Sequence, residues 1–566
     1  MENLFRSRPF KTRNADEFGI SQVLSLFVSP KDGLSTPFDY ENTIIKGRMG
    51  SGKTMYLRAN HAYYLSELVP TLIDGEEQLV LPVLIRLNDF QHLSKPEEIY
   101  RAVIVKIIEE LASIYLHLEN MKELANIQQG LRHIPDNMLR ANKFSQTMKQ
   151  LSLLGSEEYI ERVSNEFGLK TGMKPKFFEA SAEWKKANLS EIKSKPNPGI
   201  KDIEECYKNL LADQDGQILL LIDEAGSLDR KFFRNTADEL CFFEVLMNQF
   251  RTASFIRTKI AVYPNSYSDM LTETRYGDAV LLEESVDSDE AYKGFRKRTL
   301  ELIENYINPE VHEDRKFKAE DIFQLPEADI MYGDAIEQIM YASAGNMRRL
   351  IQLLDLVMME AYRERDKAQR ITILHALNAL KKHAESTASA LSEPDREFLE
   401  TLISVCKARQ TYKFQYPNVP LYRYTNRSSE YNLVNVEELG TGRRPTTYSF
   451  DYAYCVLKDI PTHRMKDSEK ICQERSNGIG RWMNRVASIN QELIDHATLP
   501  GKKDGHFDYI KDESGFILSD DQEQFFFTIR GIIDSDRHKP VIVGKRVRFY
   551  PTNLADSKMA INIEIL

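Results

Sequence analysis

Over the first half of the chain, short apolar runs alternate with longer stretches in which apolar residues return every three or four positions. The runs at 42–46, 79–87, 217–222, 258–263 and 279–282 read as core strands, and 217–222 is close to continuously apolar, the pattern of a parallel strand covered on both faces. Ile99, Val103, Ile107, Leu111 and Ile114 fall on one side of a helix, which predicts a long amphipathic helix over 97–118. Strands and helices in alternation predict an α/β domain built on a doubly wound parallel sheet. The interval between the second and third strands is longer than such a sheet needs. This predicts a helical insertion over about 96–213, with further helices through 154–167 and a lysine-rich loop near 171–201.

Beyond residue 289 the pattern changes twice. Residues 289–384 keep a helical period, and after the Ser- and Ala-rich stretch 386–394 the chain turns aromatic and β-branched. Two strand-like runs, 431–436 and 447–452, flank a hairpin carrying Gly440, Gly442, Arg443 and Arg444. Further strand-like runs stand at 505–510, 514–517, 525–532, 543–549 and 560–563. The expected domains are 1–288, 289–393, 394–500 and 501–566.

The first strand leads directly into Gly47-Arg48-Met49-Gly50-Ser51-Gly52-Lys53-Thr54 and then into a helix. Strand, glycine loop and helix in that order form the setting of a phosphate-binding loop. Gly47, Gly50, Ser51 and Gly52 let backbone N–H groups turn toward a β-phosphate at the positive end of the helix. Lys53 is placed to reach β- and γ-phosphate oxygens, and Thr54 to ligate Mg²⁺. The third strand ends in Asp223-Glu224, where Asp223 is expected to hold Mg²⁺ through water and Glu224 to orient and deprotonate an attacking water. ATP and Mg²⁺ are therefore the expected ligands, and hydrolysis the expected reaction.

Composition narrows the setting. Of 566 residues, 42% are hydrophobic and 28% charged, as in an ordinary folded protein. No stretch is long and apolar enough for a signal peptide or a membrane span, and the five cysteines are widely scattered, so a reduced, cytoplasmic, membrane-free chain is expected. The net charge of −10 disfavours coating of nucleic acid by bulk charge and leaves room for a local basic patch.

The apolar run ending in Asp223-Glu224, taken with the strand Thr258–Asn265 and the turn at Gly345 further along the chain, resembles the AAA+ ATPases, and within them the origin-recognition initiators and their STAND relatives. The resemblance implies a polar sensor at the end of the fourth strand, where Asn265 fits. It implies a helical lid with a Gly-Asn-x-Arg turn, which Gly345-Asn346-Met347-Arg348 matches except for Met347, where a proline is common. Arg348 would then approach the γ-phosphate, with neighbouring Arg349 the other choice. It also implies an arginine finger given to a neighbouring subunit, at the place of Arg275, and hence a possible homo-oligomer.

Residues 394–500 resemble the winged-helix domains that initiators carry after the lid. Arg443 and Arg444 would sit in the wing, where duplex backbone contact is the expectation. Residues 396–500 hold 15 Lys and Arg against 12 Asp and Glu. Residues 501–566 resemble a cold-shock domain, an OB barrel that stacks single-stranded bases on aromatic side chains, here Tyr509, Phe516 and Phe526. With 10 basic against 11 acidic residues, a barrel kept for protein contact is the alternative. Two functions are thus expected of different classes: an initiator-like or phage-defence ATPase that couples nucleotide state to DNA or RNA, or a STAND-like switch that binds an effector protein.

Overall fold

The structure, a computed structural model, describes residues 2–30, 37–74, 79–93, 95, 98–111, 114, 199–210, 216–223, 250, 253–262, 278–286, 289–308, 317–325, 334–363, 369–416, 432–438, 446–462, 486–489, 501–511, 514–533, 536, 538–554 and 557–566. It divides into two compact units. One comprises Asn14–Gly47 and Gly52–Leu282, and the other Met1–Arg13, Arg48–Ser51 and Glu283–Leu566.

The first unit holds β1 (Thr43–Lys46), β2 (Leu79–Arg86), β3 (Gly216–Asp223), β4 (Ile256–Val262) and β5 (Asp278–Leu281). They pair in parallel in the order β2-β3-β4-β1-β5. All five strands fall where the apolar runs predicted them. Ile218 through Ile222 are buried on both faces of β3, each such side chain contributing about 1.5–3 kcal/mol of transfer free energy. Helix Lys53–Asp74 lays Tyr56, Leu57 and Tyr64 against Ile45, Leu219, Leu221, Ala261 and Val280. Residues 98–111 are helical with Ile99, Val103, Ile107 and Leu111 buried, as their spacing requires. The helices expected through 154–167 and the loop expected at 171–198 lie outside the described residues.

Polar pins fix the lower edge of this sheet. The Tyr40 hydroxyl donates to the Ile218 and Phe255 carbonyls, and the Asn42 side-chain oxygen accepts from the Thr258 N–H at 2.9 Å. Lys259 on β4 is wholly buried, and its ammonium donates to the Pro37 carbonyl (3.0 Å), Asp39 (2.8 Å) and Asn60 (2.9 Å). Three donors meet three acceptors, which is what lets a charge sit in a sheet core.

In the second unit, helices Asp289–Ile307, Ala335–Ser343, Met347–Arg363 and Ile373–Ser389 follow the predicted helical period. Helix Ala335–Ser343 is buried along its whole length. Its Asp334 N-cap accepts from the Glu337 N–H at 2.8 Å and pairs with Arg296. After helix Glu393–Arg409 come β6 (Lys413–Tyr416), β7 (Val434–Glu438), β8 (Thr446–Phe450) and β9 (Val486–Ser488), ordered β7-β8-β6-β9. The expected hairpin is β7 against β8, antiparallel. It is part of a larger sheet than the sequence predicted, with β8 central and buried throughout. Phe414 on β6 stacks on Tyr448 and lies tilted against Phe450 of β8, which packs β6 against β8.

The last strands, β10 (Lys503–Lys511), β11 (Ser514–Ser519), β12 (Gln524–Thr528), β13 (Arg546–Leu554) and β14 (Ser557–Ile565), close into a barrel in the order β10-β11-β12-β14-β13. Phe507, Ile517, Phe525, Phe527, Val547, Phe549 and Ile563 fill it. The third run, expected to continue to 532, leaves the strand at Thr528 for a short turn, Ile529–Gly531.

Candidate nucleotide site and aromatic face

Gly47–Thr54 leaves β1 and turns into helix Lys53–Asp74. The turn needs positive φ at Gly50 (+82°) and Gly52 (+100°), which glycine adopts without steric cost. Lys53 opens the helix with its side chain 8% exposed, and its ammonium donates to the Gly47 carbonyl at 2.6 Å. The amine is thus folded over its own loop. The Ser51 hydroxyl is buried and has no hydrogen-bond partner among the described residues. A buried donor left unpaired is costly, and a phosphate oxygen in the loop would satisfy it. Thr54 is half-buried one residue further on. These groups fit a nucleotide phosphate chain.

Asp223 stands at the C-terminal end of β3, 3% exposed. No group of three or more His, Cys, Asp or Glu among the described residues could hold a metal alone. Mg²⁺ at a phosphate loop needs no such cage, because water and phosphate oxygens complete its shell. Glu224, Asn265 and Arg275 lie outside the described residues, as do Arg443 and Arg444.

Arg86, at the end of β2, stands in strand register with Asp223. Its guanidinium pairs with Asp16 at 2.7 Å, and Arg58 on the helix donates to the Phe18 carbonyl at 2.7 Å. An N-terminal segment is thereby held at the end of β2, the strand next to the one that ends in Asp223. Burial, with the Arg58 and Arg86 charges, pushes His61 down to about 4. Sequence reasoning missed this cluster, whose members are far apart in the chain and carry no motif.

The loop tip, Arg48–Ser51, belongs to the second unit, where it meets the Gly-Asn-x-Arg turn. Arg48 donates to the Ala344 carbonyl (2.9 Å), the Asn346 amide to the Met49 carbonyl (2.8 Å), and the Arg348 N–H to the Gly50 carbonyl (3.1 Å). A Cβ on Gly50 would lie 2.5 Å from the Asn346 side chain. The side-chain oxygen of Asn346 accepts from the Arg349 N–H at 3.0 Å and caps helix Met347–Arg363. Arg349 is buried in a bidentate pair with Asp451, at 2.6 and 2.9 Å. Of the two candidate arginines, Arg349 is therefore committed to Asp451.

On the barrel, Tyr509, Phe516 and Phe526 stand in one cross-strand row, Tyr509 opposite Phe516 and Phe516 opposite Phe526. Phe516 and Phe526 alternate with the core residues, and a register shift between Phe507 and Tyr509 brings Tyr509 into line with them on the outer face. The Phe516 and Phe526 rings lie 5.5 Å apart; Phe516 is buried, while Tyr509 and Phe526 are half-buried. Basic side chains on the barrel are paired with carboxylates: Arg546 with Asp520, Arg548 with Asp504, Lys502 with Glu564, and Lys503 and Lys558 with Glu523.

A five-stranded parallel sheet of this order, with a glycine loop between β1 and the next helix, fits an AAA+ domain. A family model described as ORC-CDC6-like matches residues 8–232, which include the loop and Asp223. That match supports an AAA+ ATPase of initiator type. No curated protein matches the chain. Among the described residues, no helix is long and apolar enough to cross a membrane.

Proposed function

We propose that this chain binds ATP with Mg²⁺ at Gly47–Thr54, hydrolyses it, and uses the nucleotide state to govern engagement of DNA or RNA. The buried, unpartnered Ser51 hydroxyl carries the first part of this reading, because a phosphate oxygen supplies the partner it lacks and draws Lys53 away from the Gly47 carbonyl. Lys53 would grip β- and γ-phosphate oxygens, and Thr54 and Asp223 would hold the metal. Mg²⁺ bound there would neutralise charge on those oxygens. Glu224 orients and deprotonates the attacking water, Asn265 steadies it, and Arg348 answers to the γ-phosphate. Arg275 serves a neighbouring copy if the chain assembles.

The nucleic-acid part is supported by the aromatic row of the barrel and by Arg443 and Arg444 in the hairpin between β7 and β8. A winged-helix-like region and an OB-like, cold-shock-like barrel are the modules this reading assigns to 394–500 and 501–566. One observation favours the other reading, a STAND-like switch with a protein partner: the barrel's cations are largely matched by its own carboxylates. That leaves little charge for a phosphate backbone.

Steady-state ATP hydrolysis by the full chain, alone and with single-stranded DNA, duplex DNA or RNA at two salt concentrations, tests the proposal. Salt-sensitive stimulation by one polymer is expected. Hydrolysis indifferent to all three would hand the case to the protein-binding switch, and no hydrolysis at all would remove the catalytic assignment.

A further inference from the structure

The first turn of helix Met347–Arg363 is bonded on two sides. On one, Asn346 and the Arg348 N–H hold the carbonyls of Met49 and Gly50, two residues at the tip of the phosphate loop. On the other, Arg349 holds Asp451. Asp451 is itself the N-cap of helix Tyr452–Lys458, accepting from the Ala453 N–H at 3.0 Å, and it comes directly after β8. A second bond between the same two regions runs from the Tyr452 hydroxyl to Gln338.

Asn346 is central to this arrangement because its amide nitrogen is spent on the loop and its amide oxygen on the Arg349 N–H. A displacement of the loop tip therefore reaches Arg349 through one rigid side chain and one helical turn. Gly50 leaves no slack, since even a methyl group there would meet Asn346. At the far end, both guanidinium arms of Arg349 are engaged by the Asp451 carboxylate in a buried setting, where such a pair is directional and stiff.

We propose that this turn is a relay: Asn346 reads the conformation of the phosphate loop, and the Arg349–Asp451 pair passes it to the β7–β8 hairpin and the helix behind it. The proposal rests on the reading of Gly47–Thr54 as a nucleotide loop. It assigns Asn346 and Arg349 as positioning residues and makes the β7–β8 module the output of the nucleotide state. Coupling of this kind is reciprocal, so a ligand that fixes the hairpin shifts nucleotide affinity by the same factor.

The test compares amide hydrogen exchange over 446–458 in the full chain without nucleotide, with ADP and with a non-hydrolysable ATP analogue. Binding of each nucleotide is measured separately by titration. In the wild type, exchange at these amides is expected to differ between the ADP and analogue states by about fivefold or more, the lower end of ordinary coupling. Removing Arg349 alone would strand a buried carboxylate and could unfold the module. The informative variant is therefore the double substitution Arg349→Met with Asp451→Asn, which removes both charges and keeps an N-capping side chain at 451.

That variant should bind nucleotide within about threefold of wild type, as the two charges it removes answer each other, while the exchange difference collapses toward one. Asn346→Ala should lose the same difference from the other end. A full exchange difference in either variant overturns the relay. If wild type binds nucleotide and 446–458 is indifferent to it, the relay fails while the nucleotide site stands. If wild type binds no nucleotide, both readings fall.

Discussion

Lys259 and Asn60 are joined by a 2.9 Å hydrogen bond in the core of the parallel-sheet unit, the lysine fully buried on β4 and the asparagine on the helix that begins at the phosphate loop. The same ammonium reaches Asp39 and the Pro37 carbonyl, so one side chain ties strand, helix and the segment preceding β1 together. Lys259→Met keeps the length of the side chain and strands three acceptors. A loss of about 3 kcal/mol is expected in urea denaturation, at the low end for a broken buried ion pair because Asp39 is partly solvated. A loss under about 0.5 kcal/mol, the range of a neutral surface change, would show that the pin is not structural.

The phosphate loop and Glu224 should separate binding from turnover. Lys53→Ala removes the charged hydrogen bonds to the phosphates and should weaken ATP binding by about tenfold or more in direct titration. Glu224→Gln leaves the loop intact, so affinity should hold while turnover falls by about 10²–10⁴. Unchanged turnover in Glu224→Gln would take that residue out of the reaction.

Phe516 and Phe526 sit side by side on the barrel and should respond differently. Phe526 is half-buried, so Phe526→Ala should cost about 1–3 kcal/mol in single-stranded nucleic-acid affinity, if bases stack there, with little change in thermal stability. Phe516 is 4% exposed, and its truncation should lower the melting temperature of the barrel as a core substitution does. Unaltered polymer affinity in Phe526→Ala would leave the aromatic row to protein contact.

Acidification should loosen the second unit through His383. Burial, aided by the Arg349 and Arg13 charges against the opposing pull of Asp451, pushes its imidazole down to about 4 from 6.5. Between those values the unfolded chain binds more protons than the folded one. The stabilisation is thus complete above pH 6.5 and is lost as the pH falls toward 4. His383→Gln should flatten the dependence of the urea midpoint on pH between about 7.5 and 5, His61 supplying the remainder. Equal slopes in variant and wild type would assign the effect elsewhere.

The parallel sheet was legible above all at β2 and β3, where burial writes a nearly uninterrupted apolar run into the sequence. The phosphate loop was legible because glycine spacing and a lysine at a helix start are local requirements. What escaped was long-range. β9 has three residues and joins β6 from far along the chain, with nothing nearby to announce the pairing. Arg349 read as one of two equivalent arginines until Asp451, 102 positions away, claimed it. Lys259 lay within a run correctly read as a strand, but a buried lysine is recognisable only from the three acceptors that surround it. Phe516 fell on the outward-facing alternation of its strand, and alternation alone does not tell a covered outer face from a bare one.

The closing of β10 to β13 and of β12 to β14 has one more consequence. A ring of strands exposes fewer unpaired amides along its rim than an open sheet does, so among the described residues this module offers little edge for a foreign strand to join. The four-stranded sheet is different, being bounded by β7 on one side and β9 on the other. If copies of this chain gather as they work, strand-to-strand association would fall to the edges of that sheet sooner than to the barrel.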